Sequence, residues 1–254
     1  MRTDPRAVRS VLVTGAGRGI GAATAELCAS KGWAVAVNYA SNRAAAQRVV
    51  DAIRASGGEA LALQADVADN AQVNAMFERI DAELPPLLGL VNNAGVIDVP
   101  SRVDGMSAQR LQRMFAINVF GSFYCAREAV RRLSIAKGGA GGAIVNLSSA
   151  AARLGAPGQY VDYAAAKAAI DTFTMGLAKE VAAEGIRVNA VRPGIIDTEI
   201  HASGGQPDRA RQVAPQVPMQ RPGSAHEVAQ AIVWLLSDAA SYTTATILDV
   251  TGGR

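Results

Sequence analysis

Seven short apolar runs recur along this chain, separated by stretches long enough for helices or by turn-rich loops. They are Val11–Val13, Trp33–Val37, Glu59–Ala65, Leu87–Val91, Ala143–Leu147, Gly185–Val191 and Ala245–Val250. Most are apolar at nearly every position rather than at alternate ones, which marks strands covered on both faces. Such strands, alternating with helices, pack as a parallel sheet with a helical layer on either side. The expectation is one doubly wound α/β domain over residues 1–254, with no internal repeat or linker dividing it. A ligand in a sheet of this kind lies at the carboxyl ends of the strands, where their order reverses.

Composition narrows the function classes. Half of the 254 residues are hydrophobic and 19% are charged, enough for a sizeable core and unlike a disordered chain. The net charge is only +3 and its Arg and Lys are scattered, which argues against a nucleic-acid partner. No run approaches the ~18 apolar residues of a membrane span. Cys28 and Cys125 lie in apolar, helix-like runs and read as reduced, buried thiols, so a cytoplasmic protein is expected. His201 and His226, the only histidines, have no ligand-spaced companions, so no metal site is expected.

The polar motifs fall at the ends of the apolar runs. After the first comes Thr14-Gly15-Ala16-Gly17-Arg18-Gly19-Ile20-Gly21, then an Ala-rich helical stretch to Lys31. A glycine-rich strand-to-helix turn lets backbone N–H groups and a helix N-terminus approach a phosphate. No Gly-Lys-Ser/Thr follows, which excludes a P-loop. After the second run, Asn38 to Arg43 holds no acid to bind a ribose 2′-hydroxyl. After the third, Asp66-Val67 offers either a helix N-cap or a ligand contact. The fourth ends in Asn92-Asn93-Ala94-Gly95 and the fifth in Ser148-Ser149. Tyr163 and Lys167, four apart on a helical stretch, share a face, where a cation would pull the phenol pKa down toward working pH. Asn118 interrupts one long predicted helix, Ser107 to Lys137. Pro193-Gly194-Ile195-Ile196-Asp197-Thr198 follows the sixth run. Residues 197–222, rich in Gly and Pro with weak periodicity, suit a mobile lid.

The Thr-Gly-x-x-x-Gly-x-Gly turn, Asn-Asn-Ala-Gly, and Ser149 followed after thirteen intervening residues by Tyr163-x-x-x-Lys167 together resemble the short-chain dehydrogenase/reductase family. The resemblance runs from about Ser10 to the C-terminus and implies a Rossmann fold. It further implies that Asn118, Ser149, Tyr163 and Lys167 are catalytic, Tyr163 as the acid/base. Ser149 is favoured over Ser148 because relatives ending this strand in a Ser-Ser pair use the second. Tyr160 lacks the paired lysine, since Ala164 stands four beyond it. For the cofactor, the resemblance implies Gly15, Arg18, Gly19 and Ile20 at the phosphates and adenosine ribose. Ser41 and Asn42 follow at the ribose, Asp66 and Val67 at adenine, and Asn93, Ala94 and Gly95 along the crevice. Pro193, Gly194, Ile196 and Thr198, with Tyr163 and Lys167, hold the nicotinamide end. A missing carboxylate beside Arg18 points to NADP(H) rather than NAD(H). The implied reaction is hydride transfer between NADP(H) and a small-molecule carbonyl or alcohol, as in glucose dehydrogenases and 3-oxoacyl-carrier-protein reductases. The family also implies a homotetramer. A nucleotide-binding sensor, or an epimerase or dehydratase on the same scaffold, is the alternative.

Overall fold

Every apolar run named above becomes a strand in the computed structural model, which describes residues 9–254. β1 (Ser10–Val13) leads through the glycine-rich turn to α1 (Gly19–Ser30). β2 (Ala34–Tyr39), α2 (Arg43–Ala55), β3 (Ala60–Gln64) and α3 (Asn70–Glu83) complete the first half. The second half opens with β4 (Leu87–Asn92), followed by α4 (Ala108–Phe115), a π-helical turn (Ala116–Phe120) and α5 (Gly121–Leu133). Next come β5 (Gly142–Leu147), the short α6 (Ala151–Leu154), α7 (Val161–Val181) and β6 (Ile186–Pro193). The short helices α8 (Ile200–Ser203) and α9 (Arg209–Val213) precede α10 (Ala225–Leu236) and β7 (Ile247–Val250).

All seven strands are parallel, in the order β3-β2-β1-β4-β5-β6-β7. The order reverses between β1 and β4, so the crevice expected from the sequence opens above that pair. Alternate residues of the strands face two helical layers. Val11, Val13, Val35 and Val37 pack with Ala25 and Cys28 of α1, Val49 and Ile53 of α2, and Ile232 and Leu236 of α10. Leu12, Leu90 and Ile144 pack with Phe77 and Ile80 of α3, Cys125 and Ala129 of α5, and Val181 of α7. Burying a side chain such as Phe77 or Leu12 fully contributes about 1.5–3 kcal/mol, which is how these two cores hold the strand ends in register. Both cysteines are free and buried, and burial pushes the Cys125 thiol up to about 12.

Two expectations need correction. The stretch Ser107 to Lys137 is not one α-helix: Ser107 caps α4, the π-turn interrupts the rod, and α5 stops at Leu133. The interruption has a side-chain cause. Asn118 Nδ2 donates to the carbonyls of Met114 and Val96 (both 3.0 Å), while its Oδ1 accepts from the Val96 N–H (3.2 Å). The helix is thereby tied to the loop after β4. At the far end, the N–H groups of Gly139 and Gly141 fold back onto the carbonyls of Ser134 and Leu133 (2.9 and 2.8 Å), ending the helix. Asp66 is not the N-cap of α3 either. That role falls to Asp69, whose carboxylate accepts from the N–H groups of Ala71 and Gln72, while Asp66 accepts from Ala68 one turn earlier.

A chain of buried amides crosses the middle of the sheet. Asn92 Nδ2 donates to Asn146 Oδ1 (2.9 Å) and to the Ser122 carbonyl (3.2 Å). Asn146 Nδ2 in turn donates to Thr174 Oγ1 on α7 (2.9 Å), and all three side chains are buried. It couples β4, β5 and α7, the elements that carry the polar motifs. Asn146→Ala orphans an N–H of Asn92 and opens a cavity. We expect a loss of about 2–4 kcal/mol in denaturant unfolding, and a variant as stable as the native protein would show the chain to be incidental.

Candidate active site

Thr14 stands at the end of β1, and its hydroxyl is the hub of the crevice. Oγ1 accepts from the N–H groups of Asn93 (3.0 Å) and Ala94 (2.9 Å) and donates to the Val91 carbonyl (3.3 Å). Asn93 returns the link, its Nδ2 donating to the carbonyls of Thr14 (2.8 Å) and Gly15 (3.1 Å). Buried Asn38, ending β2, accepts from the Gly15 N–H (3.1 Å) and donates to Leu63 and Ala65 at the end of β3. Gly15 is left-handed (φ +61°), and a Cβ there would lie 3.0 Å from the Ala94 Cα. A Cβ on Gly21 would meet the Gly15 carbonyl oxygen at 2.6 Å, so the turn closes only with glycine.

What the turn can hold follows from its open donors. Helices α2, α3, α4 and α10 carry side-chain caps from Asn42, Asp69, Ser107 and Ser224, but α1 begins at Arg18 with none. The first N–H groups of this 12-residue helix therefore face outward with the positive end of its dipole. That cradle fits the pyrophosphate of a dinucleotide.

Beyond the crevice, β5 delivers Ser148 and Ser149, and α7 delivers Tyr163 and Lys167. The two serines diverge. Ser148 is buried and its hydroxyl donates to the Lys167 carbonyl (3.2 Å), whereas the Ser149 hydroxyl accepts from the Ala151 N–H (3.1 Å) and stands near enough to the Tyr163 phenol to pull its pKa down. Lys167 Nζ donates to the Leu147 carbonyl (2.7 Å) and stands 5.6 Å from the centre of the Tyr163 ring. Here the expected electrostatics are corrected. Burial pushes the phenol up to about 12, against the opposing pull of the Ser149 hydroxyl, and the lysine does not bring it down. Burial equally lowers Lys167 to about 8, with Asp171 pulling the other way. Desolvation acts on both members of the pair and outweighs their neighbours. Asn118 lies across this site, its Oδ1 2.8 Å from where a Cβ of Gly95 would stand, so only glycine fits there.

These groups line one cavity of about 500 Å3. Ile20, Asn93, Gly95, Ser149, Tyr163, Lys167, Pro193, Gly194, Ile196 and Thr198 all reach it, and they are the sequence-predicted residues that the fold brings together. Asn118 borders it from behind Gly95. Gly15, Arg18, Gly19, Ser41, Asn42, Asp66, Val67 and Ala94 lie outside it, at or just beyond the ends of β1 to β4. Some have local duties: Asn42 caps α2, Val67 fills the space that Gly121 leaves open, and exposed Arg18 donates to Ser203 Oγ (3.0 Å).

Several site residues escaped the sequence reading. Segment 197–222 is pinned to the loop after β5: Tyr160 donates to Gln206 Oε1 (2.9 Å), and Arg209 donates to Gln206 and Gln159 (both 2.7 Å). Tyr160, set aside as an acid, thus fastens that segment. Arg110 grips Asp162 with two bonds (2.7 and 3.2 Å) and the Val99 carbonyl with a third, clamping the start of α7 to the loop after β4. Asp171, one turn beyond Lys167, pairs with Arg192 (2.7 Å). The four-residue spacing that singled out Lys167 would have found Asp171 as well.

A family model described as enoyl-(acyl carrier protein) reductase matches residues 15–254. The chain belongs to the short-chain dehydrogenase/reductase family. It is 58% identical over 243 residues to YgfF, an uncharacterized oxidoreductase of Escherichia coli K12, covering 96% of this chain and 98% of that one. To the 3-oxoacyl-acyl-carrier-protein reductase FabG of Staphylococcus aureus Mu50 it is 37% identical, covering 96% and 97%. A short-chain type dehydrogenase/reductase from Mycobacterium marinum superposes with a TM-score of 0.90 at 34% identity, over 96% of this chain and 94% of that one. The protein is thus an oxidoreductase-family member with a Rossmann fold, and among the described residues no helix is long and apolar enough to cross a membrane.

Proposed function

We propose that this protein interconverts a carbonyl and an alcohol using NADP(H), with Tyr163 as general acid and base. The observation that carries the reading is that Ser149, Tyr163 and buried Lys167 line one cavity together with Pro193, Gly194, Ile196 and Thr198. The nicotinamide, when bound, supplies or accepts the hydride. Tyr163 holds its proton at neutral pH and gives it to the carbonyl oxygen, while Ser149 orients that oxygen. Lys167 has one donor on the Leu147 carbonyl and would use the others to hold the nicotinamide ribose hydroxyls. Asn118, its side chain fully engaged, offers its main-chain carbonyl to a water beside Lys167. The segment 197–222, fastened through Tyr160 and Arg209, acts as the lid. A nucleotide sensor has no use for a buried acid beside a lysine, which disfavours that alternative.

The pH dependence has a definite sign. A raised phenol pKa keeps the proton on Tyr163, so reduction stays flat through neutral pH, falls first as Lys167 loses its charge near pH 8, and falls again when the phenol ionises. Oxidation needs the phenolate and so rises with pH over the same range. Tyr163→Phe loses at least ~10²-fold in kcat while NADPH binding persists, and Tyr160→Phe does not. Near-normal turnover in Tyr163→Phe, or oxidation that slows with rising pH, would remove Tyr163 from this role.

Cofactor preference rests on Asn38 to Arg43, which presents no carboxylate to a 2′-phosphate, and on exposed Arg18 and Ser41 nearby. A charge-assisted bond from Arg18 favours NADPH over NADH by about tenfold. Measured as kcat/KM with each cofactor, that ratio falls in Arg18→Ala and reverses in Ala40→Asp. A native enzyme indifferent to the 2′-phosphate would contradict it.

The assembly we propose is a homotetramer in the cytoplasm. Large apolar side chains stand exposed on one helical face, with Phe120 at 50%, Phe123 at 45% and Met175 at 40%, and Trp234 of α10 marks a second patch at 41%. Two self-complementary patches generate a tetramer of two-fold symmetry. Sedimentation at micromolar concentration should give a tetramer, and a stable monomer would refute it.

A further inference from the structure

The charged side chains around the cavity are of one sign. Lys167, Arg209 and Arg254 line it and no Asp or Glu does, while His201, whose imidazole pKa burial lowers, adds no charge at neutral pH. Some part-buried arginines meet carboxylates, as Arg110 meets Asp162, Arg132 meets Asp81 and Glu128, and Arg192 meets Asp171, while Arg187 and Arg9 bond only main-chain carbonyls. Arg209 belongs to the group without a carboxylate, and of these it is the one that faces the cavity. Its two terminal nitrogens bond only the neutral amide oxygens of Gln206 and Gln159, and its guanidinium lies 5.3 Å from the centre of the Tyr160 ring. Arg254 Nη1 is buried with no hydrogen-bond partner among the described residues. An enclosed cation without a counter-ion is costly, so these two groups mark where an occupant's negative charge would be most stabilised.

The position of Arg209 says which occupant. Its partners belong to the loop after β5 and to segment 197–222, while the cradle suited to cofactor phosphates is built from β1, α1 and the end of β4. Tyr160 stands at the start of α7, about one helical turn (~5.4 Å) before Tyr163. Ile97, Leu154 and Val213 add apolar surface to the same cavity. We infer that the cavity takes a carbonyl compound with an apolar body and an anionic group at its far end, held by Arg209 with Arg254 as second donor. A guanidinium fork suits a carboxylate or a phosphate alike. The inference rests on the oxidoreductase reading for its carbonyl, and on the charges alone for its anion.

The test compares para-carboxybenzaldehyde, para-formylphenyl phosphate and the neutral para-formylbenzamide as substrates with NADPH. At least one anion should exceed the amide by about tenfold in kcat/KM, mainly through KM. Added salt narrows the gap, since screening weakens it. Arg209→Gln brings the ratio toward one, Arg254→Gln lowers it, and Arg209→Lys keeps part of it, which separates lost charge from a disordered segment. Reduction of the amide as well as both anions would overturn the inference. Calorimetry of the NADP+-loaded protein with para-carbamoylbenzoate and terephthalamide covers the case of no turnover. Selective binding of the acid without reduction of any aldehyde would sink the catalytic reading and keep the anion site. Binding of neither, or of both equally, would sink the anion site whatever the turnover.

Discussion

The clasp between the ends of β1 and β4 is the interaction on which the site depends. The sheet reverses its strand order there, so two connections leave in opposite directions and would separate without a tie. Thr14 and Asn93 supply it with four short hydrogen bonds, two from each side, and Asn38 extends it to β2 and β3. Asn93 and Asn38 look like ligand-binding side chains in a linear sequence. In the fold their amides are consumed in shaping the glycine turn, and the N–H groups left over belong to the backbone of α1. Binding capacity has been moved from side chains, which can rotate away, to a main chain that cannot.

Burial sets the protonation of the Tyr163–Lys167 pair more than proximity does. A phenol and an ammonium four residues apart suggest mutual stabilisation as phenolate and cation. The fold shields Lys167 almost fully and Tyr163 in part from water, which favours the neutral form of each: Tyr163 rises to about 12 and Lys167 falls to about 8. Asp171 is the counterweight within reach of the lysine, but Arg192 already claims it at 2.7 Å, and Asp249 approaches Arg192 at 3.7 Å. The lysine therefore receives only part of the field of that carboxylate. A site in this condition holds its proton firmly on the tyrosine, which suits donation to a carbonyl better than abstraction from an alcohol.

How much was legible in the sequence varies with the range of the interaction. The strands were readable because full burial on both faces leaves runs such as Val11–Val13 and Ala143–Leu147 with no polar position. Tyr163 with Lys167, and the glycine turn, were readable because one helical turn or one tight loop fixes their geometry. The π-turn at Asn118 was not, since it depends on Val96, 22 residues away, meeting the Asn118 amide. The Arg110–Asp162 clamp spans 52 residues and joins two helices whose separate patterns are unremarkable. The pKa of Tyr163 was misjudged for the same reason: the sequence shows which charge is adjacent, and only the packed fold shows how much water has been excluded.

The distribution of carboxylates ties these points together. The chain has 25 basic and 22 acidic side chains. Three of the acids on elements around the cavity are engaged by arginines: Asp162 by Arg110, Asp171 by Arg192, and Asp249 by Arg153 and Arg192. Each pair braces an element that carries a site residue, α7 twice and the β6–β7 edge once. Arg209 is left with amides in the same neighbourhood, so the acids have served the scaffold and the cavity keeps its positive potential. A neutral amide grip can also be released at lower cost than an ion pair, because no charge is stranded when it breaks. The residue that fastens segment 197–222 is thus the same one that we infer holds the substrate's anion, so the two roles are tied to one side chain.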